Sequence, residues 1–142
     1  MAGPQSFMPP SVSPSKAIKH FTVAQANKAL ALVKRIVADI VACHDQATQL
    51  QSQLESQPKD QKTIEKQLEG KLERLQSLVD ELGEVGCELK DYQMGLVDFV
   101  GKHKGRDVCL CWKLGEEQIT HWHEINSGYS GRQPVSVLEE TV

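Results

Sequence analysis

Residues 87–125 read CELKDYQMGLVDFVGKHKGRDVCLCWKLGEEQITHWHEI, and within this run the apolar residues stop recurring every three or four positions and begin to alternate. Alternation bounded by turn-forming clusters is the mark of half-buried strands. Four strands are predicted, Cys87–Lys90, Leu96–Val100, Asp107–Lys113 and Ile119–Ile125, separated by turns at Asp91–Gly95, Gly101–Gly105 and Leu114–Gln118. Connections this short join antiparallel neighbours, and three or four such strands with a helix against one face form an independent sheet. Trp112 and Trp122 are out of phase with the Cys and His residues beside them. They are expected to face the opposite side of the sheet and pack against helices.

Upstream the period is helical. Phe21-Thr22-Val23-Ala24-Gln25 sets Thr22 as an N-cap with Gln25 three residues on, a capping box, and Phe21 before it can pack on the first turn. Leu30, Val33, Val37, Ile40 and Val41 continue as one stripe, weakening through Ala47, Leu50 and Leu54. The helix should end near Gln57, because Pro58 disfavours helix in the residue before it. A second helix begins near Asp60, carries Ile64, Leu68, Leu72, Leu75, Leu78, Val79 and Leu82, and is stopped by Gly83 and Gly86. Two helices across a short turn pack antiparallel. The fold class is therefore α+β: a long antiparallel helical hairpin over 22–83, packed on a small antiparallel sheet of three to four strands over 87–134.

The chain ends read differently. Four of the six prolines fall at positions 4, 9, 10 and 14, so 1–19 is expected to be a disordered Pro/Ser-rich tail, with a flexible acidic end over 136–142 and one domain over 20–135. No stretch approaches the roughly 20 apolar residues of a membrane-spanning helix. No secretory h-region opens the chain, so a cytoplasmic protein is expected. Lys16, Lys19, Lys28, Lys34 and Arg35 make residues 1–38 basic without a single acid; removing those five charges from the net −3 leaves −8 on residues 39–142. An acidic body argues against nucleic acid as partner, and the cluster Lys102, Lys104 and Arg106 falls at a hairpin tip, where a solvated turn explains it.

The chemistry is concentrated in the strands. With the turn Leu114–Gln118 centred on Glu116, Cys111 lies opposite His121 and Cys109 opposite His123. With the preceding hairpin centred between His103 and Lys104, Asp98 lies opposite Cys109. Asp98, Cys109, Cys111, His121 and His123 then share one face of three adjacent strands, with Glu116 and Glu88 nearby. Carboxylate, thiolate and imidazole are the ligand types of zinc and ferrous iron. The plainer reading makes Cys109 and Cys111 small core residues and pairs Asp98 with a neighbouring strand residue or a lysine. Cys109 and Cys111, two apart on one strand, are badly placed for a mutual disulfide, and with no export signal the four cysteines are expected to be free. Gly128-Tyr129-Ser130-Gly131-Arg132-Gln133-Pro134 shapes a tight loop that aims Arg132, either at a carboxylate of this unit (Asp98, Glu116 or Glu124) or at a small anionic ligand.

The runs Glu88-Leu89-Lys90-Asp91, Gly95-Leu96-Val97-Asp98-Phe99, Leu110-Cys111-Trp112, Gly115-Glu116, Trp122-His123 and Gly128 through Pro134, with the Phe21-Thr22 opening and its following Ala-Asn, form an ordered set. That set resembles the bacterial domain-of-unknown-function family 2203 over residues 20–135. The resemblance implies the domain limits and an intracellular bacterial protein, and it supplies no activity. Of the candidates, the family-like runs contain Glu88, Asp98, Cys111, Glu116, His123 and Arg132, so a zinc or iron site on Asp98, Cys111 and His123 comes first, with Glu116 as an assisting base and Arg132 and Glu88 as contacts for an anion or substrate. Two functions stand open: a metal-binding protein, as a metal-dependent hydrolase or oxidoreductase, and a non-catalytic interaction protein that forms a homo-oligomer through the outer half of its coiled-coil-like hairpin.

Overall fold

The computed structural model describes residues 19–56 and 59–139. Residues 1–18 of the tail expected over 1–19, the turn at Pro58 and the last residues of the chain lie outside the described residues. Helix α1 runs Val23–Ser56 and α2 Gln61–Val85. The capping box forms as its residues dictate: Gln25 N–H donates to Thr22 Oγ1 at 3.1 Å and Thr22 N–H to Gln25 Oε1 at 2.9 Å. Phe21 then packs edge-to-face on Phe99, with centroids 4.9 Å apart, while its N–H donates to Val100 O at 2.8 Å. The start of the helical layer is thereby tied to the sheet.

α2 passes through Gly83 and stops at Gly86, whose φ of 112° only glycine adopts without strain and whose N–H closes on Leu82 O at 3.3 Å. Gly83 alone cannot end the helix, because a glycine in helical conformation merely weakens it by about 1 kcal/mol. Leu30, Val33, Val37 and Ile40 of α1 meet Leu75, Leu78, Val79 and Leu82 of α2 in the core.

Five strands follow in a meander, β1 Cys87–Asp91, β2 Leu96–His103, β3 Arg106–Lys113, β4 His121–Glu124 and β5 Gln133–Pro134, each antiparallel to its sequence neighbour. The fifth strand exceeds the expected three or four. It is two residues long and pairs with β4 because Val135 N–H also reaches Thr120 O at 2.9 Å, a return that the Gly-rich loop permits and no alternation pattern signals. Val97, Phe99, Val108, Leu110, Trp112 and Trp122 share the face that joins the helical core, so both tryptophans lie where alternation puts them. Beyond β5 the chain makes a helical turn, α3 Ser136–Glu139, with Leu138 buried against the core. This turn falls within the 136–142 segment, whose last residues lie outside the described ones.

The β2–β3 hairpin corrects the expected register. Its turn is two residues long, Lys104 at φ 52° and Gly105 at φ 79°, and the centre lies between them, one residue later than expected. A two-residue turn of this kind needs positive φ at both positions, which seats Gly105 in the second; centring it earlier would put His103 in a left-handed conformation and waste the glycine in a strand. The pairing therefore slides by two residues, and Asp98 lies opposite Cys111 instead of Cys109. A slip of two leaves every side chain on its original face.

Candidate metal centre

The face of the sheet turned away from the helical core carries Asp98 on β2, Cys109 and Cys111 on β3, and His121 and His123 on β4, with Cys109 across from His123 and Cys111 across from His121 as expected. Of these, Asp98, Cys111 and His123 converge: one carboxylate oxygen, the thiol sulfur and one imidazole nitrogen all lie within 4.8 Å of one another. Asp98 and His123 sit on strands separated by β3 and reach over it toward each other. All three side chains are sealed from solvent, at 4% exposure for Asp98, 0% for Cys111 and 3% for His123.

The protonation of His123 follows from its hydrogen bonds. Nδ1 lies 2.7 Å from the backbone oxygen of Glu124, which can only accept, so Nδ1 carries a proton. In neutral imidazole Nε2 is then a lone pair, and it faces Asp98 Oδ1 at 3.2 Å. Two acceptors do not face each other in a buried site unless a cation sits with them: a second proton, giving imidazolium against carboxylate, or a metal ion. An Nδ1–H fixed on a backbone carbonyl with Nε2 free is the arrangement of a metal-ligating histidine. The 3.2 Å separation also matches the roughly 3.3 Å edge of a tetrahedron built on metal–ligand bonds near 2.0–2.1 Å.

Burial, and next the Asp98 charge, push the Cys111 thiol up to about 12, with Arg132 pulling the other way. Cys109 is likewise pushed up to about 12, by burial first and then Asp98, with Lys90 opposing. Without a metal both sulfurs are protonated. A divalent cation reverses this locally, because a coordinating thiol is deprotonated outright.

The other candidates fall around the triad. Glu116 is not free: Arg132 Nη2 donates to both its oxygens, at 2.9 and 3.0 Å, and Lys113 N–H donates to Oε1 at 2.8 Å. Arg132 also reaches Cys111 O at 3.4 Å and stands over the Tyr129 ring at 4.8 Å from its centroid. Of its two expected targets, the carboxylate is the one engaged. Glu88 lies across from Asp98 on β1, on the same face, and is exposed and paired with Lys90 at 2.6 Å. His121 is half-buried, with Nδ1 2.9 Å from Thr120 Oγ1. At the hairpin tip Lys102 pairs with Asp107 and Arg106 with Glu124, so two of the three cations of that cluster are neutralised within the unit.

Three groups that support the site escape sequence reasoning. The Glu124 carbonyl that fixes His123 is backbone and leaves no trace in residue type. Asn27 and Lys34 of α1 hold the β3–β4 connection, Asn27 Oδ1 accepting from Ile119 N–H at 2.6 Å and Lys34 Nζ donating to Glu117 O at 2.6 Å. An Asn on the first turns of an apolar helix face was the available signal for the former.

No helix of the described residues is long and apolar enough to cross a membrane. Neither the curated proteins nor the solved structures include a match to this sequence. The family described as "Uncharacterized conserved protein (DUF2203)" matches residues 19–135, which spans both helices, all five strands and every residue of the triad, and the chain belongs to that family.

Proposed function

We propose that this chain is a metal-binding protein that holds zinc through Asp98 Oδ1, Cys111 Sγ and His123 Nε2. The observation that carries the reading is the fixed tautomer of His123, which turns an imidazole lone pair onto a buried carboxylate beside a buried thiol. Thiolate, imidazole and carboxylate together suit zinc better than ferrous iron, whose usual open site takes two histidines and one carboxylate. Closing ligand atoms from within 4.8 Å to the roughly 3.6 Å of a sulfur–nitrogen edge takes side-chain movements of about 1 Å.

The finer assignment to a hydrolase or oxidoreductase finds less support. Such an enzyme keeps a metal position open to water or substrate, whereas these side chains are sealed, and Glu116, the base such a scheme would use, has both oxygens occupied. We read the metal as serving the fold, bracing β2, β3 and β4 against one another. The test is the zinc and iron content of protein purified without an affinity tag. One zinc per chain is expected, absent from a Cys111→Ala, His123→Ala double variant that remains folded. If the parent takes up no metal after incubation with zinc, the reading is wrong.

A further inference from the structure

We infer that Cys109 supplies the fourth ligand, closing a tetrahedral Asp–Cys–Cys–His zinc centre; this rests on the metal reading above. Three protein ligands leave a zinc ion one position short, and in an accessible site water or substrate fills it. Here Asp98, Cys111 and His123 are buried, so the last donor has to come from the protein. Four further donors are near on the same side of the sheet, of which Glu88 is exposed and paired with Lys90 at 2.6 Å. Glu116 is bound to Arg132 and the Lys113 amide. His121 lies across from Cys111, half-exposed and engaged with Thr120. Cys109 remains.

Its placement fits the role. Cys109 lies directly across from His123, is 7% exposed, and falls two residues before Cys111 on one strand, so both sulfurs rise from the same face beneath the span between Asp98 and His123. Asp98 lies directly across from Cys111 on the neighbouring strand, so its carboxylate shares the face of both thiols. As the side chains stand, Cys109 Sγ is not among the atoms that mutually lie within 4.8 Å. Ligation by Cys109 therefore calls for a change of its χ1 rotamer, a step that moves a cysteine sulfur by on the order of 3 Å.

Charge supports the count. Two thiolates, a carboxylate and a neutral imidazole around Zn²⁺ leave one excess negative charge. A guanidinium stands beside that charge, Arg132 Nη2 lying 3.4 Å from the Cys111 carbonyl oxygen. The remaining cysteines cannot serve, since Cys43 lies on α1 and donates to Lys71 O at 3.2 Å, and Cys87 of β1 lies across from Phe99 on the core-facing side of the sheet and donates to Leu82 O at 3.9 Å.

The experiment is zinc X-ray absorption on the full-length, zinc-loaded parent and on Cys109→Ser and Cys111→Ser. The parent should show two sulfurs and two lighter ligands per zinc, and each variant one sulfur. Cys109→Ser should also weaken zinc binding in a chelator competition by more than the roughly 10–100-fold that loss of an outer-shell partner costs. One sulfur in the parent, with Cys109→Ser binding zinc as tightly, overturns the fourth ligand and leaves the three-ligand site standing. A parent that binds no zinc overturns both. The sulfur count of the parent decides the matter even if a variant fails to fold.

Discussion

Replacing Arg132 by Met tests whether the Gly-rich loop serves the fold or an incoming anion. The guanidinium makes two contacts of 2.9 and 3.0 Å to Glu116, and the side chains are 12% and 24% exposed. Breaking a fully buried pair costs about 3–5 kcal/mol, and an exposed pair contributes about 0–1. This pair lies between. The stranded carboxylate keeps the Lys113 amide and a quarter of its surface in water, so the loss should be about 2 kcal/mol. That corresponds to a fall in Tm of roughly 6 °C for a domain of this size. Urea unfolding of the parent, Arg132→Met, Glu116→Gln and the double variant gives the coupling directly, and about 1.5 kcal/mol is expected between the two side chains. A coupling near zero would refute the assignment. So would the opposite pattern, in which phosphate or a small carboxylate raises the Tm of the parent and not of Arg132→Met, for then the guanidinium is held for a ligand and Glu116 is its resting partner.

Alkaline pH should unfold the metal-free protein early. Cys87, Cys109 and Cys111 are each pushed up to about 12 by burial from a usual value near 9, so the stability they contribute is complete below about pH 9 and drains away as pH rises toward 12, at roughly 1.4 kcal/mol per pH unit for each thiol; urea midpoints across that range should fall less steeply in Cys87→Ala. Gly105→Ala should cost about 1 kcal/mol by backbone strain alone, since a methyl there meets nothing within 4 Å, and a change near zero in urea unfolding would mean the turn is not the one described. We also propose that the hairpin pairs with a second copy: on opposite flanks of α2, Glu65, Glu69 and Glu73 run beside Leu68 and Leu72, while Lys71 and Arg74 lie with Leu50 of α1. Sedimentation equilibrium should show a dimer that a Glu65→Lys, Glu69→Lys, Glu73→Lys variant loses, and a monomeric parent at micromolar concentration would sink the idea.

Much of this architecture is written in local chemistry. Thr22 and Gln25 cap α1 because their side chains fit orphan amides at that spacing, and no distant contact is needed to see it. The two tryptophans betray the core face by alternation, which depends on nothing beyond the pleat. The stop of α2 was ambiguous between Gly83 and Gly86, because both glycines can end a helix and only the packing of Phe21 over Gly86 distinguishes them; a Cβ there would come within 3.1 Å of the Phe21 ring. Strand β5 was invisible because two residues carry no period. The partner of Arg132 was narrowed to three acids and no further. Asp98 faces His123 and Glu124 is held by Arg106, and such a division of neighbours is a property of the folded network.

The triad was legible for a reason that lies in the geometry of strands. A hairpin turn misplaced by one residue slides the pairing by two, and a slide of two returns each side chain to the same face, so Asp98 met cysteine under either register. A single-residue slip would have sent it into the helical core and dissolved the site. What sequence could not supply was the discriminating proton. Asp, Cys and His on one face are equally the makings of a satisfied polar core, and what separates a ligand histidine from a structural one is which nitrogen is committed elsewhere. Here the commitment is to a backbone carbonyl one residue away. A different rotamer of His123 with identical neighbours would have presented the N–H to Asp98 and completed a neutral hydrogen bond with no demand for a cation. Metal binding thus turns on one side-chain torsion of His123, and the zinc content of the untagged protein is the measurement that bears on it most directly.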